Sequence, residues 1–251
     1  MESPPLVSVI VPCYNMERFI SDTIESVRRQ TYPHWELLIV DDASTDNTVE
    51  IIKRWSKEEP RIHIAIKEEH SGIADTRNQA IGMAQGRYYA FLDADDLWHP
   101  EKIEIQLKFM TDRNIGFSYS SYECVDESGK PTGKTIKTAG DLDYKAYLRN
   151  TIIGCSTVML DTEKVGEVVV PRFRTSEDAA TWLDILKKGF IAYAIEQPLT
   201  SYCIRTRSAS SNKLKASADL WKVYRQNEKL PFFKALYYFC HYAFNAIKKR
   251  L

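Results

Sequence analysis

The chain has 251 residues, 44% hydrophobic and 27% charged, a balance suited to a soluble fold with a sizeable core. Its net charge is zero, but eleven Lys or Arg face only Asp219 and Glu228 from Ser201 onward, which leaves −9 on the first two hundred residues. An acidic body suits hard cations and would repel a nucleic-acid duplex, whereas a basic end suits phosphates or an anionic membrane surface.

Five scattered cysteines, Cys13, Cys124, Cys155, Cys203 and Cys240, form no CxxC pair or even framework and are expected as reduced thiols in a cytoplasmic protein. Met1 to Pro5 lacks a basic leader region, and the apolar stretch Phe232 to Ile247 is interrupted by Lys234, His241 and Asn245, so neither a signal peptide nor a membrane span is expected.

In chain order, short apolar runs alternate with helical patterns, the mark of βαβ units. Val7 to Val11 is a predicted strand, followed by a helix from about Glu17 to Gln30 with Phe19, Ile20, Ile24 and Val27 on one face. Leu37 to Val40 is the second strand; it empties into Asp41-Asp42, and Ser44 or Thr45 is placed to cap the next helix. Strands at Ile62 to Ile66 and Tyr88 to Leu92 flank a helix over Ser71 to Ala84. After Trp98 the pattern loosens: a helix near Glu101 to Met110, a strand at Gly116 to Ser121, a turn at Glu127 to Lys130, a helix at Glu177 to Lys188 and a strand at Ile191 to Ile195. Two helical stretches, about Lys215 to Glu228 and Phe233 to Lys249, close the chain. The expected organisation is a nucleotide-binding half (1–98), an irregular half (99–212) and basic amphipathic helices (213–251).

Ligands of open α/β sheets bind beyond the carboxyl ends of the strands, so Asp41-Asp42 and the string Asp93-Ala94-Asp95-Asp96 are candidate sites. An Asp-x-Asp pair can hold a hard divalent ion while leaving positions open for water and phosphate oxygens. The same residues equally suit turns and helix caps.

The strings VSVIVPCYN, IVDDASTDNT, GIADTRNQAI, YAFLDADDLWHPEKI and TSEDAATWLDILKKG arrive in an order that resembles glycosyltransferase family 2, with the α/β GT-A fold and its mostly parallel central sheet. The continuation YCIRTRSASSNK is similar to members acting in teichuronic acid and capsule synthesis. The resemblance implies an inverting transfer of sugar from a nucleotide diphosphate donor, commonly a UDP-sugar, to a hydroxyl of a lipid-linked saccharide, with Mn2+ or Mg2+ as cofactor. It implies Pro12, Tyr14 and Asp42 around the nucleoside, Arg77 near base or phosphates, Asp93 near the ribose, Asp95 on the metal, and Asp96 behind it. Arg205 and Arg207 would close over the diphosphate, although the His that often stands near Arg207 in the family is missing here. Asp178 would be the catalytic base, with Glu177 facing the acceptor. Trp182, one turn after Asp178 on the same helical face, could wall the acceptor sugar, although core packing is the commoner fate of such a Trp. A helix N-terminus favours the carboxylate anion and so weakens a base, while a dry pocket and an adjacent Glu oppose that.

The rival readings are a sugar-phosphate nucleotidyltransferase, which would need a Gly-rich loop that VPCYNMERF lacks, and a non-catalytic binding module. At the basic end Phe233, Leu236, Tyr237, Cys240, Phe244 and Ile247 fall on one helical stripe flanked by Lys234, Lys248, Lys249 and Arg250. That stripe suits a membrane surface, the protein's own core or a second subunit.

Overall fold

The computed structural model describes residues 4–205 and 213–248, and the side chains of 213, 214 and 246–248 fall outside that description. Strands β1 (Val7–Cys13) and β2 (Trp35–Asp41) are buried along their whole length, which is why they read as unbroken apolar runs rather than alternating ones. They pair in parallel with each other and with β4 (Tyr88–Phe91) and β3 (Ile62–Ile66). Between them run α1 (Ile20–Arg28), α2 (Thr48–Glu58) and α3 (Ile73–Met83). Successive strand side chains point to opposite faces. Val7, Val9 and Val11 therefore pack with Ile20, Ile24 and Val27 of α1, while Ile10 packs with Ala80 of α3 on the other side.

The second half contributes β5 (Leu97–Trp98), α4 (Lys102–Arg113), β6 (Phe117–Val125), β7 (Pro131–Ile136), α5 (Tyr144–Arg149), β8 (Met159–Asp161), α6 (Thr162–Val165), α7 (Glu177–Lys187) and β9 (Tyr193–Cys203). Among the described residues nine strands form one sheet in the order β3-β2-β1-β4-β8-β6-β9-β5, with β7 paired to β6. It is parallel from β3 through β4 and mixed beyond, because β8 runs antiparallel to both β4 and β6. The predicted turn at Glu127 to Lys130 joins β6 to β7, with Gly129 in the left-handed region that a side chain would strain. Strand β9 continues eight residues past the predicted Ile195. Its pairing with β6 slips between Ile195 and Pro198, and the polar Glu196-Gln197-Pro198 break masks the strand in the sequence.

The basic end is built onto the body. From α8 (Lys213–Lys222), the π turn Val223–Asn227 and α9 (Phe232–Lys248), the side chains Leu220, Val223, Tyr224 and Ala235 join the core cluster that holds Leu183 and Leu186. The Tyr224 hydroxyl donates to the Leu148 carbonyl at 2.6 Å. No helix of the described residues is long and apolar enough to cross a membrane. All five cysteines are unpaired.

Candidate active site

The carboxyl ends of β1, β2 and β4 open into one cleft of about 700 Å³, within the range of small-molecule sites. Its shape begins with two backbone exceptions just past the strands: Asn15 (φ 53) and Ala43 (φ 62) are left-handed, which for alanine costs about 1 kcal/mol. Cross-bonds between the two loops hold them there. Asn15 N donates to Ser44 Oγ at 2.8 Å, Thr45 N to Asn15 Oδ1 at 2.8 Å and Met16 N to Thr48 Oγ1 at 2.7 Å. Ser44 and Thr45 are thus loop ties, and the residue at the α2 N-cap is Asn47. Asp41 is consumed by the same turn, accepting from Ser44 N at 2.9 Å.

Asp42 faces the cleft, with both oxygens already engaged. Oδ1 accepts from Ser71 N (3.0 Å) and lies 3.2 Å from Lys67 Nζ, while Oδ2 accepts from Gly72 N (2.8 Å) and meets His70 Nδ1 at 2.9 Å. Burial alone would raise its pKa, but the Ser71 and Gly72 amides and Lys67 outweigh it and hold the carboxyl low. A carboxylate has about four lone-pair sites, so Asp42 is chiefly the post that fixes loop 70–72 at the start of α3. That loop brings His70 against Tyr14, ring centroids 4.3 Å apart at the cleft rim. His70 carried no metal-ligand spacing and no role in the sequence; only the fold pairs it with Tyr14.

The three aspartates after β4 separate by function. Asp95 lines the cleft, and its pKa is pushed up to about 6, first by burial and then by the charge of Asp93, with Arg205 opposing. Arg205 Nε approaches Asp95 Oδ2 at 2.5 Å, so the expected arginine does reach this point; Arg207 lies outside the described residues. Asp93 also lines the cleft and accepts from Arg77 Nη2 at 2.8 Å. Asp96 turns inward behind the cleft lining, fully buried, taking Ser156 Oγ at 2.5 Å and Cys203 N at 2.9 Å. It ties the end of β4 to β9 and touches no cleft surface, because those two buried donors capture it.

Among the described residues no three His, Cys, Asp or Glu side chains form a ready metal cage. Asp95 nevertheless fits as an anchor. It is a half-buried carboxylate crowded by Asp93, whose repulsion a cation would relieve, and magnesium-type ions commonly bind through one or two carboxylates plus substrate phosphates.

Opposite Asp95, the first turn of α7 carries Glu177 and Asp178 on the cleft wall. Asp178 accepts from Ala179 N at 2.6 Å, the anion-favouring contact expected of a helix start. Burial wins the contest: the Asp178 pKa is pushed up to about 6, with Arg77 and Ala179 N opposing. Burial and then Asp178 push Glu177 up to about 7, again against Arg77. Arg77, almost wholly buried, spans the two sides of the site, bonding Asp93 at 2.8 Å and Glu177 Oε1 at 3.2 Å. It is an internal cross-brace rather than a surface phosphate contact.

Trp182 is corrected outright. It is 1% exposed and packs edge-on against Phe91 (5.1 Å) and tilted on Phe117 (5.5 Å), so it cannot touch an acceptor; its place one turn after Asp178 points it into the sheet. Trp182→Ala should lower unfolding stability in urea by about 3–5 kcal/mol, whereas Trp182→Phe should leave acceptor KM unchanged. The aromatic wall of the cleft is instead Tyr122 and Tyr202, 5.6 Å apart on neighbouring β6 and β9. Pairing of distant strands brings them together, and no local string reveals it.

The chain is similar in sequence and in fold to known proteins. The sequence profile of the family described as Glycosyl transferase family 2 matches residues 8–162. The chain is 50% identical over 247 residues, 98% of each chain, to a Bacillus subtilis (strain 168) protein assigned to teichuronic acid biosynthesis as the glycosyltransferase TuaG, an assignment its own name marks as provisional. It is 39% identical over 246 residues, 97% of this chain and 94% of the other, to the Escherichia coli UDP-Glc:alpha-D-GlcNAc-diphosphoundecaprenol beta-1,3-glucosyltransferase WfgD. In fold it is similar to S. aureus TarS 1–349 in complex with UDP-GlcNAc, with a TM-score of 0.73 at 20% identity over 88% of this chain and 65% of that one. It is similar also to the mannosyltransferase PcManGT of Pyrobaculum calidifontis in complex with GDP-Man and Mn2+, with a TM-score of 0.68 at 22% identity over 91% and 66%. This chain spans just under two thirds of both solved chains. The architecture is the GT-A fold.

Proposed function

Because the chain belongs to glycosyl transferase family 2, we propose that it moves a sugar, with inversion, from a UDP-sugar to a hydroxyl of a lipid-linked saccharide during synthesis of a cell-surface polysaccharide. The enzyme works in the cytoplasm, resting peripherally on the membrane that carries its acceptor. One observation carries the reading: Asp95 with Arg205 and Asp178 with Glu177 line the same cleft, with Arg77 bonded to Asp93 on one side and Glu177 on the other. The donor and acceptor named for WfgD, UDP-Glc and a GlcNAc-diphosphoundecaprenol, support this choice of substrates.

In this mechanism the Tyr14–His70 pair stacks on the base, and Asp42 keeps loop 70–72 in place to form that platform. Asp95 would hold Mn2+ or Mg2+, which when bound offsets charge on the departing diphosphate as a Lewis acid. Arg205, already against Asp95, supplies charge-assisted hydrogen bonds to the same phosphates. Tyr122 and Tyr202 flank the acceptor sugar. Asp178 takes the proton from the acceptor hydroxyl as that oxygen attacks the anomeric carbon. The attack comes from the side opposite the leaving diphosphate, so a single displacement inverts that carbon.

The test is transfer itself: purified protein, Mn2+, UDP-glucose or UDP-N-acetylglucosamine, and a GlcNAc-diphospholipid, with UDP release followed in time and the product's anomeric configuration read by NMR. Acceptor-dependent UDP release with a β-linked product is expected. A retained α linkage would overturn the single displacement.

The pH dependence follows from the same groups. Asp178 must be ionised to accept a proton, and its pKa stands near 6, coupled to Glu177 near 7. Hence kcat/KM should climb as pH rises through about 6 to 7, as a property of the pair, and then level off. A profile flat down to pH 5 would remove Asp178 from the role of base.

A further inference from the structure

Helix α9 is amphipathic twice over. Its inward side, Ala235 with Tyr238, Phe239 and Tyr242, packs on the core. The opposite side is also apolar: Phe233 is 82% exposed, Phe244 67%, Tyr237 50% and Leu236 40%. At 3.6 residues per turn, positions 233, 236, 237, 240 and 244 fall in one outward sector, and Cys240 in that sector is exposed as well. The inward contacts already account for folding the helix, so the outward aromatics are surplus to the fold. Large exposed apolar patches mark interaction surfaces.

The described C-terminal residues expose charge of one sign. Lys222, Arg225, Lys229 and Lys234 are exposed. The two carboxylates of the described C-terminal residues are both buried and paired, Asp219 with Lys222 at 3.0 Å and Glu228 with Lys187 at 3.2 Å. An exposed aromatic face, Lys234 on the same helix, further exposed cations in the same C-terminal segment and no free carboxylate among these residues complement an anionic bilayer, where aromatics enter the interface and each Lys or Arg gains from the surface potential. A two-fold dimer through this face would instead bring two copies of the same cation-bearing surface together.

We infer that the outward face of α9 is a membrane-docking surface that lays the protein on an anionic lipid bilayer. The choice of a bilayer as occupant rests on the lipid-linked acceptor proposed above. Docking is a property of the helix face, independent of the donor cleft.

The experiment is co-sedimentation of the full chain with phosphatidylcholine vesicles, with and without phosphatidylglycerol, alongside the double variant Phe233→Asp/Phe244→Asp and the single variant Lys234→Glu. Binding to the anionic vesicles alone is expected. The double variant should lose it by tenfold or more, since each Phe forfeits its apolar transfer, and Lys234→Glu should weaken it severalfold. Both variants should unfold at the wild-type temperature and bind UDP as wild type does. Transfer to a short-chain, water-soluble diphosphate acceptor should be unaffected in the double variant, while transfer to a vesicle-embedded acceptor falls. Wild type that ignores anionic vesicles, or a double variant that binds them undiminished, overturns the inference; so does a wild-type dimer that the double variant converts to monomer without any vesicle binding. Anionic vesicle binding without transfer to any lipid-linked acceptor would sink the acceptor reading and leave docking standing.

Discussion

Asp178→Asn should lower kcat by about 10²- to 10⁴-fold, the usual worth of a positioned general base, while the Kd for UDP stays within about twofold. The asymmetry is the point. Asp178 lies on the α7 wall of the cleft, apart from the β1, β2 and β4 ends proposed as the donor side, so nucleotide binding has no reason to notice the change. Asparagine keeps the size and can still accept from Ala179 N, the bond that the carboxylate makes now, which separates loss of basicity from loss of structure. Turnover should be followed by UDP release and binding by calorimetry. Turnover within a few-fold of wild type would strip Asp178 of the role.

The second large effect is at Arg77. Its guanidinium is enclosed between Asp93 and Glu177, and removing one partner of a buried ionic cluster typically costs about 3–5 kcal/mol because the remaining charges are stranded. Arg77→Met should therefore lose stability of that order in urea unfolding, and Arg77→Met/Glu177→Gln should recover part of it. The pH dependence has a definite sign. Arg77 lowers the pKa of both Glu177 and Asp178, which are nonetheless raised in the fold. Without Arg77 they rise further above their unfolded values. A carboxyl raised in this way favours the fold below its unfolded pKa and loses that contribution as pH climbs through its folded pKa. The deficit of Arg77→Met should thus be larger at pH 8 than at pH 5, and the acid limb of any residual activity should move to higher pH. A deficit independent of pH would mean the brace is steric only.

What could be read from the chain and what could not divides along local and non-local lines. The βαβ half was legible because each strand is buried on both faces and each helix carries a regular apolar stripe, as at Ile20, Ile24 and Val27. Asp93, Asp95, Glu177 and Asp178 were legible as acidic strings at the end of a strand and the start of a helix, and all four line the cleft. Asp96 and Trp182 read as part of those strings, yet Ser156, Cys203, Phe91 and Phe117 decide where they point, and those partners lie 60 to 107 positions away. The short β8 and α5 carry too few residues for a periodic signal. His70, Tyr122 and Tyr202 reach the cleft through tertiary packing alone. The outward stripe of α9 was readable from spacing; that a different stripe of the same helix packs on the core was not, since the aromatic run Phe232–Phe244 offers apolar residues to both sides.

Calorimetric titration of the purified protein with UDP addresses the donor site most directly, first with Mn2+, then with the ion chelated, and then with Asp95→Ala. UDP binding that depends on the ion and disappears in Asp95→Ala is the predicted result, since in the proposed mechanism Asp95 would hold the ion. Binding that is indifferent both to chelation and to the loss of Asp95 would contradict a metal-assisted diphosphate site at the end of β4.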